Sequence, residues 1–261
     1  MVLERKYRML EIRSVQKSFG GLKAVSDCSM KVNQGSITGL IGPNGAGKTT
    51  LFNIITGFYK PDSGEIRFQG ERIEGLPPDR IFHKKVFRTF QVTREFEQMT
   101  VLENLMIIPS QQAGERIWNT WLRPKRVKEQ EHELAQKATE VLEFVELNKL
   151  KDEYAGNLSG GQKKLLELAK SMMADPKLVL LDEPGAGVNP TLMRKLVGHI
   201  RKLCEKKGIT FFLIEHDMDL VMNLCDPVIV MSEGKKLAEG NPEEIKKDQC
   251  VLEAYLGGQY R

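Results

Sequence analysis

Eight consecutive residues, Gly42-Pro43-Asn44-Gly45-Ala46-Gly47-Lys48-Thr49, match G-x-x-x-x-G-K-[ST] in full. Glycine is needed in such a run because the backbone must turn its N–H groups inward around phosphate oxygens, where a Cβ clashes or forbids the dihedral. Lys48 supplies a point charge for the outer phosphates and Thr49 a hydroxyl suited to Mg2+. A helix starting there aims its N-terminal partial charge at the same anion, so residues 42–50, ending on Thr50, are the expected phosphate cradle.

The partner acid stands 134 positions after Lys48, in Leu178-Val179-Leu180-Leu181-Asp182-Glu183. Four apolar residues bury a strand and leave Asp182 at its carboxyl end, where α/β sheets place their ligands and where a carboxylate can join a Mg2+ shell. Glu183 can polarise a water for in-line attack on a terminal phosphate. An acidic pair ending a strand commonly only caps the next helix. The phosphate loop in the same chain turns this pair toward catalysis.

Such groups need a sheet to hold them. Short β-rich runs at Leu10–Val15, Ala24–Val32, Ile37–Ile41 and Glu65–Gln69 alternate with turn signals such as Gly20-Gly21, Gln34-Gly35 and Pro61-Asp62-Ser63-Gly64. From about Thr100 to Ala174 the period becomes helical, with Leu134, Ala138, Val141, Leu142 and Val145 on one stripe. Leu178–Leu181 and Thr210–Ile214 then form continuous apolar runs around a helical stretch, Thr191–Lys206, which argues for a buried parallel sheet. A strand at Pro227–Met231 and helices starting near Pro242 and Val251 follow. The expected class is α/β: a mostly parallel core, an N-terminal antiparallel β subdomain and a helical insert.

The 261 residues sit near the upper limit for one core, so one domain with a subdomain is expected. Hydrophobic residues at 41% and charged residues at 28% exclude disordered, collagen-like and disulfide-scaffold classes. The net charge of +4 is too small to be a nucleic-acid signature, and no apolar run is long enough to cross a bilayer. Glu, Arg and Lys occupy the N-terminus where a secretory signal needs its apolar core. Cys28, Cys204, Cys225 and Cys250 have no CxxC spacing, which fits reduced, idle thiols in a cytoplasmic setting.

Leu158-Ser159-Gly160-Gly161-Gln162 reads LSGGQ just before an amphipathic helix. Ser159 and the Gly160 and Gly161 amides at a helix N-terminus make a second anion site. With the phosphate loop before it and LVLLDE after it, the chain resembles the ATP-binding cassette (ABC) family from about Met9 to Gly257. The resemblance implies ATP and Mg2+ as cofactors and a P-loop NTPase core, residues 1–91 and 175–261, interrupted by a helical signature subdomain, residues 92–174. It implies that Ser159, Gly160, Gly161 and Gln162 close over the γ-phosphate held by a facing subunit. Gln91, in Arg88-Thr89-Phe90-Gln91, is similar to the glutamine that touches Mg2+ and water; His216 is similar to the histidine that contacts the γ-phosphate. Phe19 matches the aromatic that stacks on adenine. By type alone, a histidine at a strand end is more often structural and an aromatic beside a turn is by default core. The implied catalytic set is Glu183, His216 and Gln91, and the implied metal set Thr49, Gln91 and Asp182.

Two positions depart from the family pattern: Asn189 stands where the commonest form has Asp, and Lys163-Lys164 follow the signature. The strings LIGPNGAGKTTLFNIITGFYKPDSG, MTVLENL, EPGAGVNP, IEHDMDLVM and VLEAYLG resemble the ATP-binding subunits of branched-chain amino acid importers, the LivG type. Cassettes for urea or amide import and for lipopolysaccharide export share many of them; a soluble non-transport cassette is the remaining alternative. The resemblance implies a second cassette as partner in a homo- or heterodimer, transmembrane permease subunits, an indirectly coupled substrate-binding protein, no nucleic acid, and a peripheral place on the cytoplasmic side of the membrane.

Overall fold

The computed structural model describes residues 8–89, 95–110, 112–115, 121 and 124–257. They fall into two compact units, one drawn from residues 1–91, 177–186 and 200–261 and the other from 92–176 and 187–199. The strands are β1 (Arg8–Phe19), β2 (Leu22–Asn33), β3 (Ile37–Ile41), β4 (Ser63–Phe68), β5 (Glu71–Arg72), β6 (Val86–Arg88), β7 (Leu178–Asp182), β8 (Thr210–Ile214), β9 (Val228–Ser232) and β10 (Lys235–Gly240). The helices are α1 (Lys48–Ile55), α2 (Pro78–His83), α3 (Val101–Met106), α4 (Pro124–Phe144), α5 (Gly160–Met173), α6 (Pro190–Lys207), α7 (Met218–Leu224), α8 (Pro242–Lys247) and α9 (Gln249–Gly257).

The first unit contains an antiparallel sheet in the order β2-β1-β4-β5 and a mixed sheet in the order β10-β9-β3-β8-β7-β6. Strands β6, β7, β8, β3 and β9 run parallel, and β10 closes the edge antiparallel to β9. Every residue of β3, β7 and β8 is buried, as strands covered on both faces require. The α/β class and both sheets are as the sequence predicts. β5, β6 and β10 were not legible in it: two are two or three residues long, and β10, Lys-Lys-Leu-Ala-Glu-Gly, is an edge strand whose first three side chains are exposed.

One apolar cluster joins the two sheets through α1 and includes Leu10, Ile66, Leu40, Phe52, Leu180 and Phe212. Eight residues are too few for α1 to be stable alone. It is held by burial of Leu51, Phe52, Ile54 and Ile55, each contributing roughly 1.5–3 kcal/mol, with Phe52 tilted against Phe212 at 5.1 Å. The start of this helix, where the phosphate loop ends, is therefore anchored from the core side.

In the second unit, α4 buries Val127, Ala138, Val141 and Leu142, while Leu134 on the predicted stripe is half-buried. α5 buries Leu165, Leu166, Leu168, Ala169, Met172 and Met173. Asn104, fully buried on α3, ties down the preceding turn: its Nδ2 donates to the carbonyls of Phe96, Met99 and Thr100, and its Oδ1 accepts from the Phe96 amide. Among the described residues no helix is long and apolar enough to cross a membrane.

Candidate functional site

The phosphate loop leaves the end of β3 and enters α1 with Gly42, Gly45 and Gly47 all at positive φ. A Cβ on Gly42 meets the Met231 carbonyl oxygen at 2.1 Å, and one on Gly47 meets that of Ala24 at 2.2 Å. Both contacts are with backbone, so the loop follows its path only as glycine. Lys48 is buried and its Nζ donates to the carbonyls of Gly42, at 2.7 Å, and Pro43, at 3.0 Å. Burial pulls the ammonium pKa below its ordinary value, while the negative charges of Glu183 and Asp182 oppose that shift.

A cavity of about 520 Å3 opens here, within the usual size of small-molecule sites. Residues 44–50 line one part, Glu183 and His216 another, and Lys23, Ala24 and Glu233 complete the wall with Leu22. The carbonyls of Gly42 and Pro43 hold Lys48 from behind. Phe19 is not among the lining residues: its ring is 42% exposed, edge-on to Tyr59 at 5.1 Å, with the Lys17 ammonium 5.5 Å from its centroid.

Asp182 ends β7 as a buried carboxylate, and Glu183 follows in the left-handed region at φ +50°, its amide donating to the Ile214 carbonyl. That conformation costs about 1–3 kcal/mol for a residue with a side chain, and here it turns the carboxylate to the cavity instead of continuing the strand. The His216 imidazole and Glu183 Oε1 stand 2.8 Å apart, with Nε2–H donating to the carboxylate. Strand β8 ends at Ile214, two residues before His216.

Sequence reasoning missed the acid between them. Glu215 is buried; its Oε1 accepts from the Gly185 amide at 2.6 Å and its Oε2 from the His216 amide at 3.1 Å, with a further backbone bond from Asp217. Burial pushes its pKa up, against the lowering by those amides. It thereby ties the turn after Glu183 to the loop that carries His216. The available signal was an acid immediately after the fully apolar run Phe211–Ile214, a poor place for a charge without partners.

Thr49 at the start of α1 and Asp182 offer hard oxygen donors suited to Mg2+. No group of three or more His, Cys, Asp or Glu capable of holding a metal occurs among the described residues. The donor set fits an ion that takes its remaining ligands from phosphate and water. Gln91, expected in the metal and catalytic sets, lies outside the described residues.

The signature residues belong to the second unit. Ser159 is the N-cap of α5: its Oγ accepts from the Gln162 amide at 3.4 Å, and Gln162 Oε1 accepts from the Ser159 amide at 2.8 Å, a reciprocal capping box. Ser159 and Gly160 are exposed, whereas Gly161 is buried with Leu192 so close that a Cβ would stand 2.4 Å from its Cδ1. Both departures have local partners. Asn189 Oδ1 accepts from the Leu192 amide, capping α6 ahead of Pro190, and Lys163 pairs with Glu95 at 2.5 Å.

Residues 25–186, more than half of the chain, match the family model described as ABC transporter, and residues 235–261 match the one described as branched-chain amino acid ATP-binding cassette transporter. The high-affinity branched-chain amino acid transport ATP-binding protein BraF of Pseudomonas aeruginosa is 42% identical over 249 residues, covering 95% of this chain and 98% of its own. The corresponding protein LivG of Salmonella typhimurium is 41% identical with the same coverage. A crystal structure of an ATP-binding cassette of an ABC transporter in its ADP conformation superposes with a TM-score of 0.82 at 39% identity, covering 96% of this chain and 99% of that one. A loop that requires glycine, a buried lysine, an acid pair at a strand end and a capped LSGGQ helix stand on the fold of those relatives, and the chain belongs to the ABC transporter family of ATP-binding cassettes.

Proposed function

We propose that this chain is the ATP-hydrolysing subunit of an importer for branched-chain amino acids. The observation that carries the ATPase reading is the convergence of Lys48, Thr49, Glu183 and His216 on one cavity at the mouth of the phosphate loop. In this reading the amides of residues 44–50 and the Lys48 ammonium bind the phosphates of ATP, and Thr49 and Asp182 hold its Mg2+. The chemistry that a bound Mg2+ would supply there is neutralisation of phosphate charge. Glu183 takes a proton from a water as its oxygen attacks the γ-phosphorus; the bond to the β–γ bridging oxygen breaks, leaving ADP and phosphate. His216, hydrogen-bonded to Glu183, orients that carboxylate and faces the γ-phosphate. Gln91 would contact the Mg2+ and the attacking water, and Phe19 would stack on the adenine ring.

Ser159, Gly160, Gly161 and Gln162 serve the site of a second cassette, so two subunits facing head-to-tail complete two sites. ATP is then a ligand of the closed pair, and hydrolysis releases it. The chain works as one cassette, with residues 92–174 as its signature subdomain. The chain sits peripherally on the cytoplasmic side of the membrane, against transmembrane permease subunits that carry the cargo delivered by a substrate-binding protein. The names of the relatives support the cargo.

The test is isolation of the tagged chain from detergent-solubilised membranes. Permease subunits and a second cassette are expected in the same particle, and that particle in liposomes should take up branched-chain amino acids only with internal or external ATP on the cassette side and the binding protein opposite. Isolation with ribosomes and no permease defeats the transport reading.

A further inference from the structure

The deepest charged contact near the acid pair involves a residue that the phosphate chemistry above does not use. Arg88, the last residue of β6, places its guanidinium Nη2 2.8 Å from Asp182 Oδ2, with both side chains nearly inaccessible to solvent, at 6% and 5% exposure. Its Nη1 donates to Asn53 Oδ1 at 2.6 Å and to Thr56 Oγ1 at 3.2 Å. The Thr56 hydroxyl has committed its own proton to the Phe52 carbonyl at 2.6 Å, so its oxygen is set as an acceptor for the guanidinium. The rings of Phe52 and Phe58 lie 5.8 and 6.0 Å from the Arg88 carbon that bears the three nitrogens.

These contacts fix a planar fork from two sides. Asn53 stands one helical turn after Thr49 on α1, so the support for Arg88 is part of the same short helix that presents the Thr49 hydroxyl. The neighbouring Thr89 completes the link to β7: its amide donates to the Leu180 carbonyl at 2.9 Å, and its hydroxyl stands 3.4 Å from the Asp182 amide. A buried ion pair is by itself weak evidence for stability, because the desolvation of both charges offsets their attraction. What this one supplies is direction. The fork engages Oδ2 and determines which way the second oxygen of the carboxylate faces.

We propose that Arg88 is a positioning residue for the metal site: by holding Asp182 Oδ2 from α1 it aims Oδ1 at the Mg2+ of a bound nucleotide, in register with the Thr49 hydroxyl. The proposal rests on Asp182 being a Mg2+ group, as in the reading above. In this role Arg88 acts through Asp182 and is not itself a ligand of the metal. Lysine cannot replace it, since an ammonium lacks the fork that reaches Asp182 and α1 together.

The test uses Mn2+ as the probe, counted by the EPR signal of the free ion, on full-length protein saturated with a non-hydrolysable ATP analogue. In Arg88→Lys and Arg88→Met the dissociation constant for Mn2+ should rise about tenfold or more. Affinity for the analogue in EDTA should stay at the wild-type value. Thr56→Val loosens the guanidinium without changing any charge and should give a smaller loss in the same direction, which keeps the test in force if Arg88→Met does not fold. Wild-type or tighter Mn2+ binding in Arg88→Lys and Thr56→Val overturns the role of Arg88 alone, as does an equal loss of analogue affinity in EDTA, which reports a merely structural part. A wild-type protein that holds Mn2+ no better than the free analogue does overturns the Mg2+ assignment of Asp182 and the proposal with it.

Discussion

The phosphate loop and the LSGGQ segment are both glycine-rich turns that open a helix, yet they are finished to different degrees. Around the loop, the chain has already committed charge: the buried Lys48 is held by two carbonyls, the buried Asp182 by Arg88, and the half-buried Glu183 by His216. At the signature, Ser159 and Gln162 satisfy each other in a capping box, and Ser159 and Gly160 face solvent. The first region stores desolvation and backbone strain, which is the mark of a site that organises a ligand before it arrives. The second stores neither. It is a stable helix start, and in the proposed function its exposed Ser159 and Gly160 serve a ligand brought to them by a second cassette.

The sharpest way to break that contrast is at Glu183. Glu183→Gln preserves size and a hydrogen bond to His216 but cannot accept a proton, so single-turnover phosphate release should fall about a thousandfold while ATP affinity is retained. The same variant should trap an ATP-dependent dimer on size exclusion. Phosphate release at the wild-type rate would remove Glu183 as the base. A smaller effect, in binding instead of chemistry, belongs to Lys48→Ala. Loss of a buried ammonium from the phosphates should weaken ATP binding by about 3 kcal/mol, roughly a hundredfold, measured by calorimetry with the non-hydrolysable analogue. Unchanged affinity means that the loop amides alone hold the nucleotide.

How much of this could be read from the chain follows the same division. Motif glycines, Lys48 and the acid pair were legible because each requires a residue type at a fixed spacing along one local turn. The parallel strands were legible because burial on both faces leaves an uninterrupted apolar run, as in Leu178–Leu181. Arg88 and Glu215 were not, although both letters sit inside strings that the family resemblance picked out. Their partners are remote in sequence, Arg88 from Asp182 by 94 positions and Glu215 from Gly185 by 30, and only the sheet order brings them together. The packing of Phe19 was hidden in the same way, since the letter does not show that its ring stands against Tyr59 and Lys17, outside the lining of the cavity. The role of Asn189 was equally hidden, because the letter alone does not separate a loop residue from the N-cap of α6.

The smallest expected effect is the one that tests the signature side. Ser159→Ala removes the hydroxyl that accepts from the Gln162 amide while leaving the backbone N–H that donates to Gln162 Oε1, and the loss of an N-cap hydroxyl of this kind costs about 1 kcal/mol. Thermal unfolding should register it as a lowering of Tm by a few degrees at most. ATP affinity of the isolated subunit should not change, because the cavity beside the phosphate loop is lined by residues of the first unit alone. ATP-driven dimer formation in a Glu183→Gln background should weaken, since the facing γ-phosphate loses one donor. A Ser159→Ala protein that binds ATP more weakly as a monomer contradicts the division between a prebuilt site and a completing one; a protein that loses the 1 kcal/mol and nothing else leaves Ser159 as a helix cap only.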